Sequence, residues 1–282
     1  MADAVEAADA VPDAPGVREV MNARRSAFDR MADVSGTSSP GKPFANLRID
    51  ARAYAADGTG EDASHPVPSA LVRAVTDRLA RDGGFDGPGA ALVTGLPTGG
   101  NVLRARQEHE RLFRAVWADF LARTGQRDPA AGYAVKTKTT TDGVIPPELY
   151  GSNWSFKRPH ADRDAWLFSH RYGPVAGCGG GAPVLLDVRR YLRRHGLRFA
   201  DAFEWSREPT PGSKPVLRAE HHEAAMAECG VVLEGVGLDA VLFVNNLPDA
   251  GVLHGATPVR VTDPDLFVRE YHRCSVKDAR PC

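Results

Sequence analysis

Phe156-Lys157-Arg158-Pro159-His160-Ala161-Asp162-Arg163-Asp164-Ala165-Trp166-Leu167-Phe168 sets a His-x-Asp pair at the entrance to an apolar run. On a strand, side chains alternate faces, so His160 and Asp162 would point the same way and offer one imidazole nitrogen and one carboxylate oxygen to a single metal ion. A third ligand is needed. The best candidate is His254, beside Gly255 and behind the strand-like run Leu242-Phe243-Val244-Asn245-Asn246. Two imidazoles and one carboxylate on one face of a metal leave the opposite positions open.

A bare His-x-Asp pair arises by chance in a chain with 9 histidines, and a surface histidine beside solvated acids has the same pattern. The order of the surrounding features therefore carries the weight. A length of 282 residues fits one large domain or two small ones. Charged residues make up 25% of the chain and nearly cancel to a net charge of -1. That balance speaks against nucleic acid or a membrane surface as partner and for a small molecule. Cys178, Cys229, Cys274 and Cys282 show no C-x-x-C spacing, and no signal-like apolar stretch opens the sequence, which predicts thiols in a reducing cytoplasm.

Residues 1–16 are acidic and poor in apolar side chains, the composition of a disordered terminus. Residues 17–34 predict a helix, 46–54 a short strand, 57–62 a turn and 68–81 a helix with Leu71, Val72, Val75 and Leu79 on one face. Residues 90–97 predict a buried strand, and 104–124 a long helix whose Arg- and Glu-rich remainder should be a solvated face. Alternation over 132–141 and the turn signal Asp142-Gly143 open a strand-rich half, interrupted by helices near 189–198 and 221–229. Helices first and short strands later predict an α+β fold, and the lack of repeats or a clear linker predicts one domain over 17–282.

The ordered set resembles the Fe(II)/2-oxoglutarate-dependent dioxygenase superfamily, within it the taurine dioxygenase and clavaminate synthase-like group. The resemblance rests on Gly84-Phe85 with the strand Ala91-Leu92-Val93-Thr94-Gly95-Leu96-Pro97; on His160-Ala161-Asp162; on the glycine turn and strand Gly179-Gly180-Gly181-Ala182-Pro183-Val184-Leu185-Leu186-Asp187-Val188; on Asp239 to Asn246; and on His254 with the arginines beyond it. It spans roughly residues 68 to 276. The separation of the two histidines is closer to phytanoyl-CoA hydroxylase-like spacing, and Ala182-Pro183 stands where the group often has an acid and a threonine.

The resemblance implies a double-stranded β-helix (jelly-roll) core braced by N-terminal helices, with Fe(II), 2-oxoglutarate and dioxygen as cofactor and cosubstrates. It implies His160, Asp162 and His254 as iron ligands. The distal carboxylate of 2-oxoglutarate then requires a buried cationic fork, which arginine supplies better than lysine. Arg269, Tyr271 and Arg273 share one face of the strand-like run 267–276. By resemblance Arg269 binds the cosubstrate and Arg273 the substrate, with Arg260 as the competitor for the cosubstrate.

Asn153, Trp154 and Arg163 border the expected pocket as further substrate contacts, and Arg273, Lys157, Arg158 and Arg163 would make it basic, suited to an anionic or amino-acid-like metabolite. His221-His222-Glu223 reads as a helix surface, whereas His170 reads as a satisfied polar residue or a partner behind the ligands. The expected reaction is hydroxylation, with desaturation or cyclisation as alternatives. The Ala-, Arg-, Gly- and Asp-heavy usage of a GC-rich bacterial genome points to specialised metabolism such as antibiotic biosynthesis. Two other classes fit the same residues: a metal-free jelly-roll binding protein, and a cupin-like isomerase or hydrolase using zinc.

Overall fold

The computed structural model describes residues 43–54, 66–81, 87–124, 133–140, 159–162, 165–205, 215–246 and 250–277. The expected disordered terminus, the helix over 17–34, Gly84-Phe85 and the turn at Asp142-Gly143 lie outside these residues. In chain order come β1 (Arg48–Asp50), a 3-10 turn (Ala51–Tyr54), α1 (Ser69–Leu79), β2 (Ala90–Thr94), α2 (Val102–Thr124), β3 (Tyr133–Thr140), β4 (Ala165–Ala176), β5 (Cys178–Gly180) and β6 (Pro183–Asp187). They continue with α3 (Val188–His195), α4 (Phe199–Ala202), β7 (Phe203–Trp205), β8 (Pro215–Leu217), α5 (Ala219–Cys229), β9 (Gly230–Val232), β10 (Val241–Asn245), β11 (Val252–Ala256), β12 (Val259–Val261) and β13 (Val268–Lys277).

β10 is buried at every position, as its unbroken apolar run requires of a strand covered on both faces. It sits inside a mixed six-stranded sheet of order β1-β2-β10-β4-β13-β3. Alternation then assigns its side chains to two cores. Phe243 and Val241 face outward and pack with Leu71, Val75 and Leu79 of α1 and with Leu112, Phe113 and Val116 of α2. Leu242 and Val244 face inward and meet Phe168, Leu185 and Val252.

Those last two residues belong to a second sheet of order β11-β6-β9. His160 extends it, bridging His254 of β11 on one side and Val216 of β8 on the other. The far face of this sheet carries Leu186 and Leu253, which pack with Tyr191, Leu192, Ala225 and Cys229 of α3 and α5. The layers therefore run helices, sheet, sheet, helices, and the space between the sheets holds His160, His170 and His254. α3 begins where the Asp187 carboxylate accepts the Arg190 N–H at 3.1 Å and stops at Gly196, whose φ of 61° is left-handed.

Two expectations change. The strand expected over 46–54 keeps its ladder through Asp50 alone and then coils into the 3-10 turn, because the Asp50 carboxylate accepts the backbone N–H of Arg52 at 3.1 Å and its guanidinium at 2.9 Å. The polar remainder of α2 is not a plain solvated face. His109 and Glu108 are buried, and Arg106 pairs with Glu270 of β13, because that side of the helix lies on the six-stranded sheet. Among the described residues no helix is long and apolar enough to cross a membrane.

Candidate metal centre

The two histidines are tied to each other by backbone before any side chain acts. The His160 N–H donates to the His254 carbonyl and the His254 N–H to the His160 carbonyl, each at 2.9 Å. The expected strand carrying both His160 and Asp162 is absent: His160 forms an isolated bridge, and Asp162 lies beyond it in irregular chain. Another residue replaces the strand as the support. Asn246, directly after β10, accepts the Asp162 N–H on its Oδ1 at 3.1 Å and donates from Nδ2 to the Asp162 carbonyl at 2.8 Å. Its neighbour Asn245 points to the other side, donating to the Leu79 carbonyl at the end of α1 at 2.9 Å.

This scaffold brings one ligand atom each of His160, Asp162 and His254 within 4.8 Å of one another. Asp162 Oδ1 lies 3.6 Å from His160 Nε2, and Oδ2 lies 3.5 Å from His254 Nε2. The two imidazole centroids are 4.5 Å apart, and the edge of Phe168 covers His254 at the same distance. Burial works to raise the Asp162 carboxyl, but the charge of His254, the close approach of both histidine rings and the Arg273 guanidinium outweigh it and hold its pKa well below the usual range. Burial pushes the His254 imidazole down to about 4. An ionised carboxylate and a neutral imidazole are the forms that bind a cation.

β4 and β13 supply the wall beside this cluster. Arg273 crosses the Phe168 ring at 4.4 Å and sets Nη1 2.6 Å from Asp162 Oδ2. Arg269 lies over the Tyr172 ring at 4.5 Å and donates to the Gly181 carbonyl at 3.0 Å. Gly181, with φ of 69°, permits that approach, since a Cβ there would stand 2.8 Å from Arg269 Nη2. Arg260 is exposed on β12, opposite Gly179. Burial raises the Tyr271 phenol, which therefore keeps its proton as a donor.

His170 is not the satisfied polar residue that one reading expected. It is buried opposite Arg273, against Phe168, Tyr172 and Tyr271, and neither ring nitrogen bonds to a described residue. Burial first, then the positive charges of His254, Arg273 and Arg269, lower its pKa to about 3. Asn153, Trp154 and Arg163, with Lys157 and Arg158, lie outside the described residues. The sequence places Asn246 and Gly181 within the motifs quoted above but assigns neither of them a part in the site. The usable signal was a tandem asparagine closing an otherwise apolar strand, and a glycine run ahead of Pro183.

No family model and no curated protein matches the chain. Several solved structures resemble it. An asparagine oxygenase, solved with Fe(II), 2S,3S-3-hydroxyasparagine and succinate, shares 15% identity over 91% of this chain and 92% of its own, with a TM-score of 0.45. A taurine dioxygenase from Burkholderia xenovorans shares 15% identity over 77% and 84%, with a TM-score of 0.37. A bsmA homolog from Methylobium petroleophilum shares 14% identity at a TM-score of 0.34; 62% of this chain is covered, and it spans about half, 52%, of that protein. At these values neither chemistry nor substrate transfers from one chain to another.

Proposed function

We propose that this protein is an Fe(II)/2-oxoglutarate-dependent oxygenase acting on a small, anionic or amino-acid-like metabolite. The observation that carries the reading is the convergence of His160, Asp162 and His254 within 4.8 Å, next to two guanidinium groups facing the same space. Two imidazoles, one carboxylate and open positions opposite them are the donor set of non-haem iron rather than of a closed structural zinc site. The facing sheets with the histidines between them fit a jelly-roll core in a single domain over 17–282.

His160, Asp162 and His254 would hold the iron, and Asn246 would keep the Asp162 carboxylate aimed at it. The buried Arg269 would take the distal carboxylate of 2-oxoglutarate, its fork fixed by the Gly181 carbonyl and the Tyr172 face. Arg273 would orient an acidic group of the substrate, and Asn153, Trp154 and Arg163 would complete the substrate wall. When bound, iron and the keto acid supply the activation of dioxygen, coupled to release of succinate and carbon dioxide. Phe168 and Tyr271 exclude water from the same space, and His170, held neutral, can accept or donate one hydrogen bond there. Hydroxylation is the proposed outcome, in the bacterial specialised metabolism that the composition suggests.

The test is conversion of 2-oxoglutarate to succinate with Fe(II), in air and under argon, with a panel of amino acids and related acids as substrates. Succinate formed in air and absent under argon is expected. Asp162→Ala should abolish it while leaving the circular dichroism spectrum unchanged. Turnover that survives without dioxygen or keto acid would instead identify a metal-dependent isomerase or hydrolase.

A further inference from the structure

The alternation of β13 that turns Arg269, Tyr271 and Arg273 inward turns Glu270, His272 and Cys274 to the opposite face, under α2. There His272 and Cys274 meet His109 of α2, all three buried. One ligand atom from each lies within 4.8 Å of the others, and the two imidazoles stand edge to face with centroids 5.1 Å apart.

The nitrogens divide into two kinds. His109 Nε2 is 2.6 Å from the Ser169 hydroxyl and His272 Nδ1 is 2.8 Å from that of Thr137. The remaining two, His109 Nδ1 and His272 Nε2, are buried and make no hydrogen bond to any described residue. Leaving such atoms unsatisfied is costly in a packed interior. An imidazole with one nitrogen held by a hydroxyl and the other left open is the arrangement that fixes the tautomer and orientation of a metal ligand.

We propose that His109, His272 and Cys274 form a second cation site, distinct from the triad across the sheet and selective for a thiophilic ion of the zinc type. Glu110, whose Oε1 lies 3.7 Å from His272 Nε2, is the available fourth ligand. Tetrahedral zinc with nitrogen bonds near 2.0 Å and sulfur bonds near 2.3 Å sets ligand atoms roughly 3.4–3.8 Å apart, so the side chains need to draw in by about 1 Å. Charge also favours a thiolate site. Arg171 and Arg106 stand close by and are paired with Glu270, so an incoming dication needs the Cys274 and Glu110 anions to offset them. Hard ions that prefer oxygen donors would gain little here. The ion would pin α2 to the back of the strand that carries Arg269 and Arg273.

Cobalt(II) titration of the whole chain, followed by absorbance, tests this site independently of the triad, because a thiolate-to-cobalt charge-transfer band requires a cysteine ligand. The wild type should bind two equivalents and show the band. Asp162→Ala should keep the band while losing one equivalent, whereas Cys274→Ser and His272→Gln should each lose the band and keep the triad's equivalent. Absence of the band in the wild type overturns the proposal without recourse to any variant. So does its persistence in Cys274→Ser.

Discussion

Arg273 holds Nη1 2.6 Å from Oδ2 of Asp162, the same oxygen that lies 3.5 Å from His254 Nε2. A guanidinium thus stands in ion-pair contact with the very oxygen of the carboxylate proposed to ligate iron. Cation and arginine compete for that oxygen, and each repels the other. The Arg273→Met variant should bind Mn2+ about tenfold more tightly than the wild type in the absence of keto acid, equivalent to ~1.4 kcal/mol. Its KM for an acidic substrate should rise. Titration of Mn2+ followed by electron paramagnetic resonance measures the first effect, and unchanged affinity would mean that Arg273 does not compete.

Arg269 and Arg260 differ in setting as well as in position. Arg269 is 8% exposed and hydrogen-bonded, while Arg260 faces solvent. Loss of a charge-assisted fork in a buried site costs about 1.5–3 kcal/mol, so Arg269→Ala should raise the KM for 2-oxoglutarate roughly 10- to 100-fold. Arg260→Ala should leave it within twofold, about the scatter expected of an exposed charge. Gly181→Ala, which forces a Cβ into the Arg269 guanidinium, should raise the same KM and leave metal affinity alone. The opposite ranking of the two arginines in steady-state kinetics would transfer the cosubstrate role to Arg260.

Asn246 grips Asp162 through its backbone, accepting the Asp162 N–H and donating to the Asp162 carbonyl. Asn246→Ala frees the carboxylate to wander and should weaken metal binding about 10- to 100-fold, the usual range for a residue that orients a ligand. Asn245→Ala, which loses a bond to α1 instead, should lower the melting temperature more than the metal affinity. Isothermal titration and thermal melts of the two variants separate these roles; equal effects on metal binding would remove the positional one from Asn246.

The metal-free protein should lose stability in mild acid. His170, lowered to about 3, and His272, lowered to about 4, are neutral in the fold and would take protons near 6.5 when unfolded. The unfolded chain therefore binds more protons below 6.5, and their contribution, complete above that pH, drains away as pH falls through 4 and 3. A fully buried histidine of this kind loses about 1.4 kcal/mol per pH unit within the window. Asp162 acts in the same direction, but from its unperturbed value of 3.8 downward. Urea denaturation at pH 6.5 and 5.0 should show the decline, and His170→Phe should shrink the difference by about 2 kcal/mol. A difference equally large in that variant would show that His170 is not its source.

Much of the strand and helix order was legible because burial imposes a period on the sequence. The run from Val241 to Val244 is apolar throughout because helices cover one face and a second sheet the other. Leu71, Val72, Val75 and Leu79 recur at helical spacing because one side of α1 packs on that sheet. The reading failed where a local hydrogen bond or a distant partner took over. Asp50 coiled the chain that alternation alone would have extended, and the polar side of α2 went into the interior because Glu270 and Ser169 waited there.

His160, Asp162 and His254 could be named from the sequence because few residue types ligate metals and their order along the chain is distinctive. Their meeting could not. It depends on a backbone bridge between two histidines distant in the chain and on an asparagine that grips an aspartate from across the sheet, contacts that exist when both sheets are stacked. The same holds for the split character of β13, whose alternation is written in the sequence but whose two environments, the proposed metal centre with His170 on one side and α2 on the other, are set by what the rest of the chain packs against it.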